Sequence, residues 1–142
     1  MIVGGVALEF DRGPVAHSDG DVLYHATVDA ILGALSLPDI GQLFPDNAPE
    51  NAGRNSADFV RAAHQKMRDA GWSIGNLDAT VILERPRIGP VKDRIRANLA
   101  GLLKTDATRI NVKGKSHERV DAVGESRAIE AHCVILLVAD PA

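Results

Sequence analysis

The sequence has one cysteine, one tryptophan and one tyrosine, and aromatic residues make up only 4% of its 142 positions. A lone Cys133 excludes an intrachain disulfide and suits a reducing compartment; inside the apolar run Ala131 to Val138 it reads as buried filler. No apolar stretch reaches the roughly 18 residues of a membrane span, and no basic leader precedes a signal core. A cytoplasmic setting, or an organelle stroma in a eukaryote, is therefore expected, with no membrane partner. A net charge of −3, from 16 Lys and Arg against 19 Asp and Glu, offers no footprint for nucleic acid. The expected partner is a small molecule.

What is present is ordinary globular material, 45% hydrophobic and 25% charged, enough for a single domain over residues 1–142. Ile2 to Glu9 reads as a strand or hairpin arm broken at Gly4-Gly5, and Asp11-Arg12-Gly13-Pro14 as a turn. A helix is expected from about Gly20 to Leu35, ended by Pro38-Asp39-Ile40-Gly41, with a long loop from Leu43 to Gly53. Ser56 is placed to cap a second helix that buries Phe59, Val60, Ala63 and Met67 and leaves His64 on the wet side. Strand signals follow at Trp72-Ser73-Ile74 and Leu77 to Leu83, then a stiff turn through Pro86 and Pro90. A third helix from Val91 to Leu103 carries Ile95, Leu99 and Leu102 on one side, and strands follow at Arg109 to Lys113 and Ala128 to Val138. The last strand has too little polarity for an edge facing water. This order of elements predicts an α/β (α+β) fold, a two-layer sandwich with a mixed four-stranded sheet and helices on one face.

The densest chemistry lies in Ala16-His17-Ser18-Asp19-Gly20-Asp21-Val22-Leu23-Tyr24-His25, two imidazoles and two acids around a glycine just before a helix. Ser18 and Asp21 have capping-box-like spacing, and Asp21, His25 and Asp29 stack along one helical stripe. The same residues also read as a capped helix whose acids favour the positive end of its dipole.

Together with that run, Asp39-Ile40-Gly41 followed by Phe44-Pro45-Asp46, then Arg85-Pro86-Arg87, then Asn111-Val112-Lys113 through Ser116-His117-Glu118, the chain resembles the 2-C-methyl-D-erythritol 2,4-cyclodiphosphate synthase family. The order and spacing fit over nearly the whole chain, and the tail from Lys115 to Arg127 is similar to the plant-like branch. The resemblance implies a homotrimer with sites between subunits, a zinc ion, and a second ion, magnesium or manganese. It implies a cytidine-diphosphate-linked substrate whose 2-phosphate attacks the β-phosphorus and expels CMP. In such an intramolecular transfer the difficulty is charge repulsion, and each well-placed donor is worth roughly 2.7 to 4 kcal/mol of barrier.

By the same resemblance His25 is a zinc ligand, with Asp21 orienting it from behind. His17 and Ser18 contact phosphate, His17 acting in the transition state. Asp39, Ile40 and Gly41 with Phe44, Pro45, Asp46, Asn47 and Ala48 hold the methylerythritol hydroxyls. Leu83, Pro86, Arg87, Ile88 and Gly89 form the cytidine pocket. Lys115, Ser116 and Glu118 serve the diphosphate, Ser116 as a catalytic hydroxyl and Glu118 as the carboxylate for the second metal. Plainer readings stand beside these: Asp39-Ile40-Gly41 as a helix stop, Phe44 as a core plug, Arg87, Lys113 and Lys115 as solvated charges, and Glu118 as a partner of Arg119.

One departure is clear. The family opens with a strand carrying Asp-x-His, whereas Glu9 and Asp11 here are not followed two residues later by histidine. Three-ligand zinc coordination is not available from His25 alone, so an N-terminally shortened chain or a misassigned start is the expectation, with natural loss of the strand the alternative. A non-catalytic trimeric module that binds cytidine nucleotides or isoprenoid diphosphates is the alternative function.

Overall fold

A computed structural model describes residues 1–45, 47–51 and 53–141. Two short strands, β1 (Ile2–Val3) and β2 (Val6–Ala7), pair antiparallel through a Gly4-Gly5 turn. Both glycines have positive φ, +57° and +72°, as a tight two-residue hairpin requires. A side chain on Gly4 would collide with Ile95, and one on Gly5 with the Tyr24 hydroxyl.

The layer of helices is α1 (Val22–Ala34), the short α2 (Ile40–Leu43), α3 (Ser56–Asp69) and α4 (Lys92–Leu103). Their apolar stripes, Leu23, Val28, Ile31 and Leu32 on α1, Phe59, Val60, Ala63 and Met67 on α3, and Ile95, Leu99 and Leu103 on α4, are buried together. Beneath them lies a sheet of β3 (Trp72–Ile82), β4 (Ile110–Lys115) and β5 (Glu130–Ala139), ordered β4-β3-β5. β3 runs parallel to β4 across α4, and antiparallel to β5. A last short helix, α5 (Asp121–Gly124), precedes β5.

The two-layer mixed architecture is as the sequence predicts, with one correction. The principal sheet among the described residues has three strands, because the N-terminal pair forms a hairpin of its own. Further corrections are local. Asn55, not Ser56, caps α3, its side chain accepting from the Ala57 amide at 2.8 Å. His64 is buried at 7% exposure, not wet, and Leu103 rather than Leu102 fills the core under α4.

β5 is an edge strand, contrary to expectation, and its register explains why it is apolar on both sides. Residues paired across a sheet share a face. Val134 lies opposite Asp78 and Asn111 on the face away from the helices, whereas Ile135 pairs with Leu77 toward the core. Val134, Leu136 and Val138 are 72%, 61% and 38% exposed, an apolar row on the open face of the sheet.

Candidate functional site

The motif run at the start of α1 folds around its acids. Asp21 is the N-cap of α1 and wholly buried. Its Oδ1 accepts from the amides of Gly4 (2.9 Å), Leu23 (3.2 Å) and Tyr24 (3.1 Å), and its Oδ2 from Gly5 (2.7 Å). Burial pushes its carboxyl above the ordinary range, against the pull of those amides. Asp21 therefore fastens the β1–β2 turn to the helix. The expected contact with His25 is not made, nor is a Ser18–Asp21 capping box, because both carboxylate oxygens are committed to backbone.

The partners of His25 are hydroxyls. Its Nε2 lies 3.0 Å from Ser56 Oγ and 3.3 Å from Ser18 Oγ. Ser56 Oγ donates its only proton to Asp19 Oδ1, while the Ser56 amide donates to Asp19 Oδ2 at 3.1 Å. Ser56 thus accepts from Nε2–H, which leaves the ring lone pair on Nδ1. Sequence reasoning names Ser56 only as a helix cap and gives Asp19 no role of its own. Asp19 lay within the quoted motif, but Ser56, 31 positions from His25, has no local signal.

A cleft of about 330 Å³ opens here, lined by His17, Ser18, His25, Ile40, Gly41 and Phe44 together with Ala16, Asn51 and Phe59. Phe44 stacks on Phe59 at 4.8 Å, and Arg54 lies over both rings at 5.8 and 5.2 Å. Phe44 is thus both plug and wall. Asp39 caps α2 through Gln42 N at 2.9 Å, and Asp29 receives the Ile40 amide at 2.8 Å. Asp39, Pro45, Asn47 and Ala48 do not line this cleft. Asp46 lies outside the described residues.

A second cleft, about 700 Å³, sits at the far end of β3 and β4. It gathers Leu83, Arg87, Ile88, Gly89, Lys115, Ser116 and Glu118, with Glu84, Lys92, Gly114 and Arg119 added by the fold. Pro86 shapes the turn behind it without lining it. Arg87, Lys92, Lys115 and Arg119 outnumber Glu84 and Glu118, so the cleft suits a polyanion. Glu118 pairs with the Ser116 hydroxyl at 3.1 Å rather than with Arg119. Glu84 Oε2 is buried without a hydrogen-bond partner among the described residues.

The loop bearing Glu118 is strained: Glu118, Arg119 and Asp121 hold φ of 51°, 64° and 63°. Left-handed backbone at non-glycine residues costs roughly 1–3 kcal/mol each and needs local compensation. Asp121 supplies it, accepting from the amides of Val123 (2.9 Å) and Gly124 (3.2 Å) and from His117 Nδ1 (2.8 Å). These bonds, the Gly124 amide foremost, hold the Asp121 carboxyl below its usual range.

The two clefts share no lining residue, so one chain separates His17 and His25 from Ser116 and Glu118. Residues 1–138 match the profile of the YgbB family. The chain belongs to the YgbB family. It is 56% identical to the chloroplastic 2-C-methyl-D-erythritol 2,4-cyclodiphosphate synthase of Arabidopsis thaliana over 97% of this chain and 60% of that protein. To the synthase of Rhodopirellula baltica it is 45% identical, over 95% of this chain and 81% of that one. Among solved structures, an IspF of Plasmodium falciparum in complex with CDP superposes with a TM-score of 0.87 at 40% identity, over 98% of this chain and 83% of that chain. The chain spans about three-fifths of the length of the plant relatives it matches.

Metal ligation is where this YgbB chain fits the resemblance least. Among the described residues no three His, Cys, Asp or Glu side chains converge as a metal site, and the side-chain hydrogen-bond partners of the His25 ring are serine hydroxyls. The residues present do not fit a zinc centre by themselves. No helix among the described residues is long and apolar enough to cross a membrane.

Proposed function

We propose that this YgbB chain catalyses the cyclisation for which its relatives are named. 4-Diphosphocytidyl-2-C-methyl-D-erythritol 2-phosphate would become 2-C-methyl-D-erythritol 2,4-cyclodiphosphate, with release of CMP. The observation that carries the reading is the convergence of Arg87, Lys115, Ser116 and Glu118 with Leu83, Ile88 and Gly89 on one cation-rich cleft. An oxygen of the 2-phosphate forms a bond to the β-phosphorus, the bond from that phosphorus to the bridging oxygen breaks, and CMP leaves with the electron pair. Nucleophile and electrophile belong to one molecule, so the protein's task is positioning and charge neutralisation.

In this reading Lys115 and Arg87, with Lys92 and Arg119 beside them, offset the diphosphate, and Ser116, braced by Glu118, presents its hydroxyl to it. Leu83, Ile88, Gly89 and the Pro86 turn hold the cytidine. At the other cleft His17 and Ser18 meet the 2-phosphate, and Ile40, Gly41 and Phe44 hold the carbon skeleton. Asp39, Pro45, Asp46, Asn47 and Ala48 belong to the same loop and its polyol contacts. Zinc at His25, and magnesium or manganese at Glu118, belong to the reading only with ligands beyond those described.

The separation of the two clefts supports a site completed between copies of the chain, and the exposed row Val134, Leu136 and Val138 supplies apolar surface for such an assembly. A homotrimer, in the cytoplasm or an organelle stroma, completes the proposal. The test is CMP release from the substrate with zinc and magnesium supplied, alongside CDP calorimetry and sedimentation. Turnover by a trimer is expected. CDP binding with no turnover, indifferent to chelator, identifies the binding module instead, and failure to bind CDP overturns both readings.

A further inference from the structure

His117 stands between two residues of the cation-rich cleft and does not line it. Ser116, Glu118 and Arg119 border that cavity, whereas the His117 ring is engaged outside it, donating from Nδ1 to Asp121 Oδ2 at 2.8 Å. The segment this bond spans is the strained one. Of the four residues from 118 to 121, only Val120 has negative φ, at −98°; Glu118, Arg119 and Asp121 sit where glycine is the comfortable choice. Such backbone persists only where its surroundings over-determine it.

The holds on this turn fall into two groups. Within the strand end, the Val120 amide closes onto the His117 carbonyl at 2.8 Å, and the Glu118 amide reaches Ser116 Oγ at 3.3 Å. On the other side α5 packs back against the turn: a Cβ added at Gly124 would lie 2.6 Å from the Arg119 carbonyl carbon, and Val123, 3% exposed, roots this short helix in the protein. His117 and Asp121 join the two groups. Asp121 Oδ1 takes the amides of Val123 and Gly124 while its Oδ2 takes the imidazole. Among the described residues this is the one side-chain hydrogen bond between residues 116–119 and α5. Its two side chains are 32% and 52% exposed, so it adds little to the stability of the whole chain. Its effect falls on local geometry.

We propose that His117 is a positioning residue, fixing through Asp121 the turn that sets the Ser116 hydroxyl and the Glu118 carboxylate against a bound diphosphate. The proposal rests on the cyclase reading for what is bound, and on the turn itself for the tie. Ser116 Oγ donates to Glu118 Oε1 at 3.1 Å, so the two groups move as a unit. A misplacement of about 1 Å in such a unit is enough to slow a reaction on the order of a hundredfold. The tie leaves Arg87, Lys115 and the cytidine-side residues where they are, so it bears on the chemical step more than on binding.

The test compares His117→Ala with His117→Asn, whose side-chain amide nitrogen takes the place of Nδ1 and still donates to Asp121. With zinc and magnesium supplied, kcat for CMP release should fall about tenfold or more in His117→Ala, while KM and CDP affinity stay within about twofold. His117→Asn should recover most of the loss. A double-mutant cycle separates this indirect role from direct contact with substrate. Asp121→Gly suits the left-handed φ and removes the tie, so adding His117→Ala to it should cost nothing further; losses that multiply overturn the proposal. Amide hydrogen exchange reads the turn without turnover. The Glu118 and Val120 amides should exchange about tenfold faster in His117→Ala and at the parent rate in His117→Asn. A parent chain that releases no CMP overturns the cyclase reading alone, and exchange then decides whether His117 fixes the turn. Parent-like exchange in His117→Ala overturns the proposal, as does an unchanged kcat in an active chain or a loss that asparagine does not recover.

Discussion

The two clefts assembled from the sequence motifs use their charged residues in opposite ways. At the start of α1 the acids are spent on the fold: Asp21 on four backbone amides, Asp19 on Ser56, Asp39 on the cap of α2. At the end of β3 and β4, Arg87 and Lys115 line the cavity with no ion-pair partner among the described residues, next to a loop kept left-handed at Glu118 and Arg119. Both stretches look equally rich in function as sequence. Only one leaves its charges available, and the difference is set by whether a carboxylate can find amides at a helix start.

The comparison breaks most visibly at Asp21. Asp21→Ala leaves buried amides of Gly4 and Gly5 and two of the first turn of α1 unanswered. A loss of roughly 3 kcal/mol is expected, seen as a fall of about 10 °C in Tm by calorimetry. If Asp21 instead served only to orient His25, Tm would hold and ligand binding alone would suffer. The counterpart is Lys115→Ala, where the opposite pattern is expected: Tm unchanged and CDP affinity lowered at least about tenfold by titration calorimetry. An unchanged CDP affinity would remove Lys115 from the site.

Much of this was legible in the sequence. Helix periodicity located α1, α3 and α4, and Gly4-Gly5 marked a break in the N-terminal strand that is in fact the turn of a hairpin, whereas the turn was expected at Asp11-Arg12-Gly13-Pro14; the segments 83–89 and 115–118 meet in one cleft. What escaped depends on distance along the chain. The carboxylate of Asp21 reaches back to Gly4 and Gly5, and the imidazole of His25 reaches forward to Ser56; periodicity carries no information about either. His64 was misplaced because a helix wheel assigns one wet side, whereas α3 packs against α1, α4 and β3 and buries more than one stripe. The apolar outer row of β5 read as interior for the same reason: composition reports what a surface avoids, not what covers it.

A smaller effect sharpens the comparison within the first cleft. Ser56→Ala removes the hydroxyl between Asp19 and His25, leaving the backbone amides of Asp21 and of position 56 to hold Asp19. A loss of about 1 kcal/mol is expected, with Ser56→Thr restoring it. The informative readout is the nitrogen chemical shifts of His25. In the parent chain they should report the Nε2–H tautomer, and in Ser56→Ala a mixture; an unchanged tautomer would mean that Ser56 fills space and nothing more.

The smallest effect concerns an acid between the two extremes, neither buried in backbone nor facing a ligand. Asp78, on the open face of the sheet, accepts from Lys113 Nζ at 2.6 Å and from Asn111 Nδ2 at 3.0 Å. The Lys113 hydrogen bond chiefly holds its carboxyl below the usual range. A depressed folded value stabilises the ionised, folded chain above the ordinary carboxylate pKa, and that contribution is lost as pH falls below about 3.8 toward the folded value. Lys113→Gln should therefore lower Tm slightly at pH 6 and by less as the acid is protonated, the two melting curves converging at low pH. Because both side chains are more than a third exposed, water and salt screen the pair, and the gap at pH 6 should also shrink in high salt. A gap independent of both pH and salt would assign Lys113 a packing role, its methylene stem covering the sheet instead of its charge holding Asp78.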